Sequence, residues 1–285
     1  MKLVVIGGNA AGMSAASRVK RKAPDSQVVV LEQTKEVSYA ACGLPYYVAG
    51  LNNDINLMRI RSVEAFEKNG MIVKLGSTVQ SVDFDQHVVY YQDKTGTEQS
   101  ESYDKLLISS GSSPKIPAIP GILQQGIFPL KTLDHAQKLK EALEDEPKNV
   151  VIVGGGYIGL EVAEACLLRK IASVRIVEAL DRLLNVFDPE FSAAVQQELE
   201  SHGVCVNVGE RVLSFEGDGK VTHIVTDHGT YPADLVILCI GISPNTRLFG
   251  DKLEKLPNGA IITNPAMETS VPDVYAAGDC ATVWS

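Results

Sequence analysis

The sequence predicts an α/β protein made of two similar βαβ halves, and three observations predict it. An apolar run, Lys2 to Ile6, enters a glycine turn at Gly7, Gly8 and Gly12; the pattern returns at Val150 to Val153 with Gly154, Gly155, Gly156 and Gly159. Each turn is followed by a stretch of helical periodicity, Met13 to Arg21 and Leu160 to Arg169, and then by an apolar strand ending in an acid, Glu32 or Glu178. Behind each unit, short alternating strands with turn signals read as a β-meander, over Ile72 to Ile108 and Val204 to Ile240.

The two copies lie 147 residues apart, from Gly12 to Gly159. Glu32 follows Gly12 by 20 residues and Glu178 follows Gly159 by 19. This is the dinucleotide fingerprint: glycines let the backbone approach a pyrophosphate, the helix N-terminus attracts its charge, and the acid holds a ribose. The fold expected is therefore two Rossmann-like domains. Asn9 occupies the middle glycine position of the first loop, and as an Asn it is expected to tolerate left-handed backbone geometry there. Leu106 to Pro114 and Leu235 to Asn245 close the meanders with matching glycines, Gly111 and Gly241, and Pro114 to Pro120 reads as a crossover.

A length of 285 residues fits two domains. The net charge of −9, without a long basic run, argues against a nucleic-acid partner. Cys42, Cys166, Cys205, Cys239 and Cys280 form neither a CxxC pair nor a metal-ligand spacing, and an odd count suits a reducing cytoplasm. The apolar N-terminus breaks at Gly7 to Asn9, too early for a signal peptide, and no apolar run reaches membrane-spanning length.

With these motifs the chain resembles the pyridine nucleotide-disulfide oxidoreductases. Ser38, Tyr39 and Cys42 resemble the Ser-aromatic-x-x-Cys motif of the single-cysteine branch, which holds coenzyme A disulfide reductase, NADH oxidase and NADH peroxidase. Where the wider superfamily has a second cysteine, this chain has Tyr47. The resemblance implies FAD in the first unit and NADH in the second, with NADPH as the other possibility. It places residues 1–115 and 242–285 in a discontinuous FAD domain and 116–241 in an inserted NAD(P)H domain. A C-terminal dimerisation domain, present in a homodimeric full-length protein, would then be absent here.

For FAD the resemblance implies Gly7, Gly8, Asn9, Ala10, Ala11, Gly12, Glu32, Gln33, Val79, Ser110 and Gly111, with Gly278 and Asp279 from the motif Thr269 to Asp279. For NAD(P)H it implies Gly154, Gly156, Tyr157, Ile158, Gly159, Glu161, Glu178 and Gly241, with Tyr157 covering the flavin until nicotinamide arrives. Glu178 favours NADH, because a carboxylate repels a 2′-phosphate; Arg182 close by blurs that preference.

Cys42 is the expected catalytic thiol. It precedes Gly43, Leu44 and Pro45 at an apparent helix start, where a dipole favours thiolate, and with no resolving cysteine it cycles as a mixed disulfide or sulfenic acid. The other four cysteines are expected to be buried and inert. Ser14, Arg18, Arg21 and Ser38 match the family's coenzyme A contacts, and Arg18, Arg21 and Lys22 share a helical face. The oxidases and peroxidases resemble one another in a histidine where this chain has Ala10, and Ala41 replaces an asparagine found in some members. The expected activity is reduction of coenzyme A disulfide or a related persulfide. The alternatives are an NADH oxidase or peroxidase, an electron-transfer reductase serving a ferredoxin or rubredoxin, and a binding module or redox sensor.

Overall fold

The computed structural model describes residues 1–283; the last two residues of the expected 242–285 segment lie outside the described residues. Its helices are α1 (Ala10–Lys22), α2 (Leu44–Ala49), α3 (Val63–Glu67), α4 (Leu133–Glu144), α5 (Tyr157–Leu168) and α6 (Pro189–Ser201). The chain divides into two compact units.

The first unit comprises Met1–Ala40, Arg59–Ser113 and the chain from Ser243 onward. Its parallel sheet runs in the order Val274–Ala276, Lys105–Ile108, β1 (Lys2–Ile6), β2 (Gln27–Glu32), Met71–Leu75. Both faces are covered, so the strands read as continuous apolar runs rather than alternating ones. Leu3, Val5, Val28 and Val30 pack on one side with Met13 and Ala16 of α1. Val4, Ile6, Val29 and Leu31 pack on the other with Val89, Tyr91 and Tyr103.

The meander of this unit is Thr78–Asp83, Val88–Gln92 and Glu98–Ser102, antiparallel throughout. The sequence range expected for it was too wide. Met71–Leu75 and Lys105–Ile108, at its two ends, join the parallel sheet instead.

The second unit comprises Ala41–Met58 and Pro114–Ile242. Its parallel sheet has the order Cys205–Asn207, Ser173–Val177, Asn149–Val153, Leu235–Leu238, Ile127–Pro129, with a meander of Val212–Glu216, His223–Thr226 and Thr230–Pro232. Here too the outer parts of the expected meander range belong to the parallel sheet.

Residues 41–58 group with the second unit, although the sequence had placed them in the 1–115 segment. The reason is packing: α2 buries Leu44, Tyr47 and Val48 and lies against α4 and α5. No helix among the described residues is long and apolar enough to cross a membrane.

Candidate functional site

In the first unit, β1 leads into Gly7, whose φ of +103° and close approach to the Ser109 carbonyl exclude a side chain. A Cβ on Gly12 would stand 2.0 Å from the Gly7 oxygen and 2.6 Å from Ser109 Oγ, so α1 is pressed directly onto the loop. Glu32 closes the turn from the end of β2. Its Oε2 accepts the Gly8 N–H at 2.7 Å and its Oε1 accepts the Thr34 N–H at 2.8 Å.

The conformation of Asn9 differs from the sequence expectation. Its φ is −102°, ordinary extended backbone, and the left-handed position is Gly7 instead. The Asn9 side chain is used differently: Oδ1 accepts the Tyr39 N–H at 3.1 Å, tying the loop to the strand-like segment before Cys42. Ala10 and Ala11 open α1, whose first turn holds no acid that would repel a phosphate.

The other FAD candidates of this unit gather in part. Gly278, at φ +83°, abuts Ala11, where an added Cβ would stand 3.0 Å from the Ala11 Cβ. Asp279 Oδ2 accepts from Ser112 Oγ at 2.8 Å, and Ser110 Oγ donates to the Asn245 carbonyl at 2.8 Å beside Gly111. Gln33 is exposed just past Glu32, and Val79 lies on the meander strand opposite Tyr91. Ser14, Arg18 and Arg21 form one exposed stripe on α1, with Lys22 next to it. Ser38 is half-buried, donates its N–H to the Gly8 carbonyl at 2.9 Å and holds a strained φ of +49°.

The second unit repeats this construction. The Gly154 N–H donates to Val177 O at 2.9 Å as the Gly7 N–H does to Leu31 O, and Gly159 presses on Gly154 as Gly12 does on Gly7. Glu178 Oε2 accepts the Gly155 N–H at 2.6 Å and Oε1 the Leu180 N–H at 2.8 Å. Above the loop opens a cleft of about 680 Å³, lined by Gly154 to Ile158, Glu178, Arg182, Arg211 and Gly241 among others. That volume suits a dinucleotide. Gly156 faces open space, since a Cβ there would meet nothing within 4 Å, and α5 has no acid in its first turn. Arg182 Nε is buried in the cleft wall with no protein partner, a donor left for a ligand. The residues therefore fit a nucleotide.

Tyr157 is exposed at this cleft and makes an edge contact with Phe187, ring centroids 5.9 Å apart. Glu161 is not in the cleft. It lines a shallow groove with Pro45, Tyr46 and Glu164, and burial, then the Glu164 charge, raises its carboxyl above the usual range.

Cys42 sits exposed in a 3₁₀ turn, Ala41–Gly43, just ahead of α2, where Pro45 stands in the first turn. Position 47 is filled by the buried Tyr47 ring. Cys166 and Cys280 are buried, as expected, and burial pushes the Cys166 thiol up to about 12. Cys280 Sγ donates to the Ile108 and Ala277 carbonyls. Cys239 is half-buried at the cleft, and burial likewise pushes its thiol up to about 12. Cys205 departs from expectation: it opens the edge strand Cys205–Asn207 and is exposed.

Arg211 was not foreseen at the cleft. It follows Glu178 by 33 residues and carries no motif, and it arrives because the Glu210 N–H donates to the Glu178 carbonyl at 3.0 Å. Gly155 and Leu180, the donors to Glu178, were also missed as site residues, although Gly155 was visible in the loop.

A family model described as pyridine nucleotide-disulphide oxidoreductase matches residues 1–285. An NADH oxidase of Enterococcus faecalis is 39% identical over 99% of this chain and 64% of its own. A CoA-dependent NAD(P)H sulfur oxidoreductase of Pyrococcus abyssi is 42% identical over 98% of this chain and 62% of its own. The solved structure of the water-forming NADH oxidase from Lactobacillus brevis, bound to NADH, superposes with a TM-score of 0.93 at 38% identity, over 99% of this chain and 62% of the other. The chain thus spans less than two thirds of the length of these relatives. The family is FAD-dependent. The chain belongs to the pyridine nucleotide-disulphide oxidoreductase family.

Proposed function

We propose that the chain forms the nucleotide- and thiol-bearing part of an FAD-dependent NAD(P)H reductase acting on a disulfide or persulfide of the coenzyme A type, in the cytoplasm. The observation that carries this reading is Cys42: an exposed thiol ahead of α2, with a buried tyrosine where a resolving cysteine would stand. The CoA-dependent sulfur oxidoreductase among the relatives supports the substrate class.

Gly7, Gly8, Gly12 and the start of α1 would hold the FAD pyrophosphate, with Gly278 and Asp279 completing that site. Gly154 to Ile158 would hold the nicotinamide dinucleotide, with Glu178 on the adenosine ribose. Both Glu178 oxygens keep a free lone pair after accepting one backbone N–H each, so ribose hydroxyls can still be bound. Its charge favours NADH over NADPH.

The Cys42 thiolate attacks one sulfur of the substrate disulfide, forming a Cys42–S–S–R bond and releasing RS⁻. FAD, when bound, would supply two electrons drawn from the nicotinamide, and with them the Cys42–S–S–R bond would be cleaved to Cys42 thiolate and the second RS⁻. The exposed cations Arg18 and Arg21 would hold the phosphates of a coenzyme A-type substrate.

An NADH oxidase reading is supported by the Enterococcus relative. Ala10, where oxidases resemble one another in a histidine, weighs against it. The test is anaerobic NADH titration of the FAD-loaded protein and its Cys42→Ser variant, following long-wavelength thiolate-to-flavin absorbance and thiol release from coenzyme A disulfide. The proposal requires both signals in the wild type and neither in the variant. Equal flavin reduction in both proteins without thiol release would make Cys42 structural.

A further inference from the structure

We infer that Lys140 is a positioning residue for Cys42, acting through α2 and the return segment behind it; the inference rests on Cys42 being the redox thiol. Lys140 is only 7% exposed, on the face of α4 that also buries Leu133, Ala136, Leu139 and Leu143. A buried ammonium is expensive unless its contacts are specific. In place of a carboxylate, its Nζ donates to Asn53 Oδ1 at 2.6 Å and stands 4.4 Å from the centroid of the buried Tyr47 ring. One cation thereby joins two arms of the cysteine-bearing segment, Tyr47 on α2 and Asn53 on the return.

Both arms lead to Cys42. A helix of six residues does not hold itself in water, so α2 depends on outside contacts. Its C-terminal half is gripped twice, by Lys140 on Tyr47 and by Arg169, whose Nε donates to the Val48 carbonyl. Cys42 precedes Tyr47 by five residues, roughly 7.5 Å at helical rise, and Pro45 stiffens the chain between them. The return arm ends at Met58, whose Sδ lies so close to Gly43, the neighbour of Cys42, that a Cβ there would be 2.6 Å away. Displacing a reacting group by about 1 Å can cost about 100-fold in rate, so a loosened clamp would act on thiol chemistry first.

The test uses full-length holoenzyme carrying Lys140→Met, which keeps the apolar stem and removes the charge, and Lys140→Arg, which keeps the charge. Three quantities are read: NADH-driven thiol release from coenzyme A disulfide, NADH-driven reduction of a dye acceptor that bypasses Cys42, and the rate of Cys42 alkylation by iodoacetamide in the reduced protein. For Lys140→Met the expected result is about a tenfold loss of thiol release, dye reduction within about twofold of wild type, and an alkylation rate changed at least about threefold, with Lys140→Arg closer to wild type on all three. Should Lys140→Met not fold, Asn53→Ala, which removes the acceptor from the exposed side, is expected to show the same split in weaker form. A parallel fall of thiol release and dye reduction, or unchanged release and alkylation, overturns the inference. If thiol release persists in Cys42→Ser, the reading of Cys42 itself fails, which is a different result.

Discussion

Glu178 accepts the backbone N–H of Gly155 at 2.6 Å, and Glu32 accepts that of Gly8 at 2.7 Å: each strand-end acid is bonded to the second glycine of its own loop. The acid therefore shapes the loop before any ribose arrives. Hydrogen bonds to charged groups are worth about 1.5–3 kcal/mol, so Glu178→Ala is expected to raise the KM for NADH about tenfold or more. The same variant should shift preference toward NADPH, because Arg182 and Arg211 remain in the cleft. Steady-state KM values for both coenzymes decide it; an unchanged ratio would remove Glu178 from coenzyme choice.

Glycines of the two loops are expected to separate folding from binding. Gly12→Ala forces a Cβ to within 2.0 Å of a carbonyl oxygen, and overpacking of this kind costs about 1–3 kcal/mol. Gly156→Ala meets open space at an ordinary φ of −82°, so its effect on stability should stay within about 0.5 kcal/mol while NADH binding weakens. Thermal unfolding and nucleotide titration of the two variants distinguish these outcomes.

Cys166 gives a pH dependence with a defined sign. Burial pushes its thiol up to about 12, whereas an unfolded thiol titrates near about 8.5. Between roughly pH 9 and 12 the unfolded chain has lost that proton and the native protein has kept it, so stability falls as pH rises, by about 1.4 kcal/mol per pH unit for this one group. Below about pH 8 the contribution is constant. Urea midpoints measured from pH 8 to 10.5 should therefore decline less steeply in Cys166→Ala than in the wild type.

The exposed stripe on α1 yields a prediction on substrate rather than stability. Arg18→Ala and Arg21→Ala are each expected to raise the KM for coenzyme A disulfide about three- to tenfold at low salt, less at high salt, since exposed charges are screened. The KM for NADH should not move. A parallel rise for an aromatic disulfide without phosphates would show that the stripe does not bind the substrate.

The repeated loop, the spacing to Glu32 and Glu178, and the strands feeding them were legible because each is written within about thirty residues of chain, where backbone rules act locally. The conformation of Asn9 was misread for a local reason: the left-handed turn falls at Gly7, two residues earlier, so residue type alone suggested a role that the backbone does not require.

By itself the sequence determined the two βαβ halves and their glycine loops, because strand periodicity, glycine turns and the acid at a fixed remove are properties of short segments. The tertiary structure alone decided that residues 41–58 pack with the second unit, that Lys140 lies buried against Tyr47 and Asn53, and that Arg211 reaches the cleft of Glu178. Those relationships join residues 33 to 121 positions apart, from Glu178 to Arg211 and from Val48 to Arg169, and only sheet order and helix packing bring such residues together.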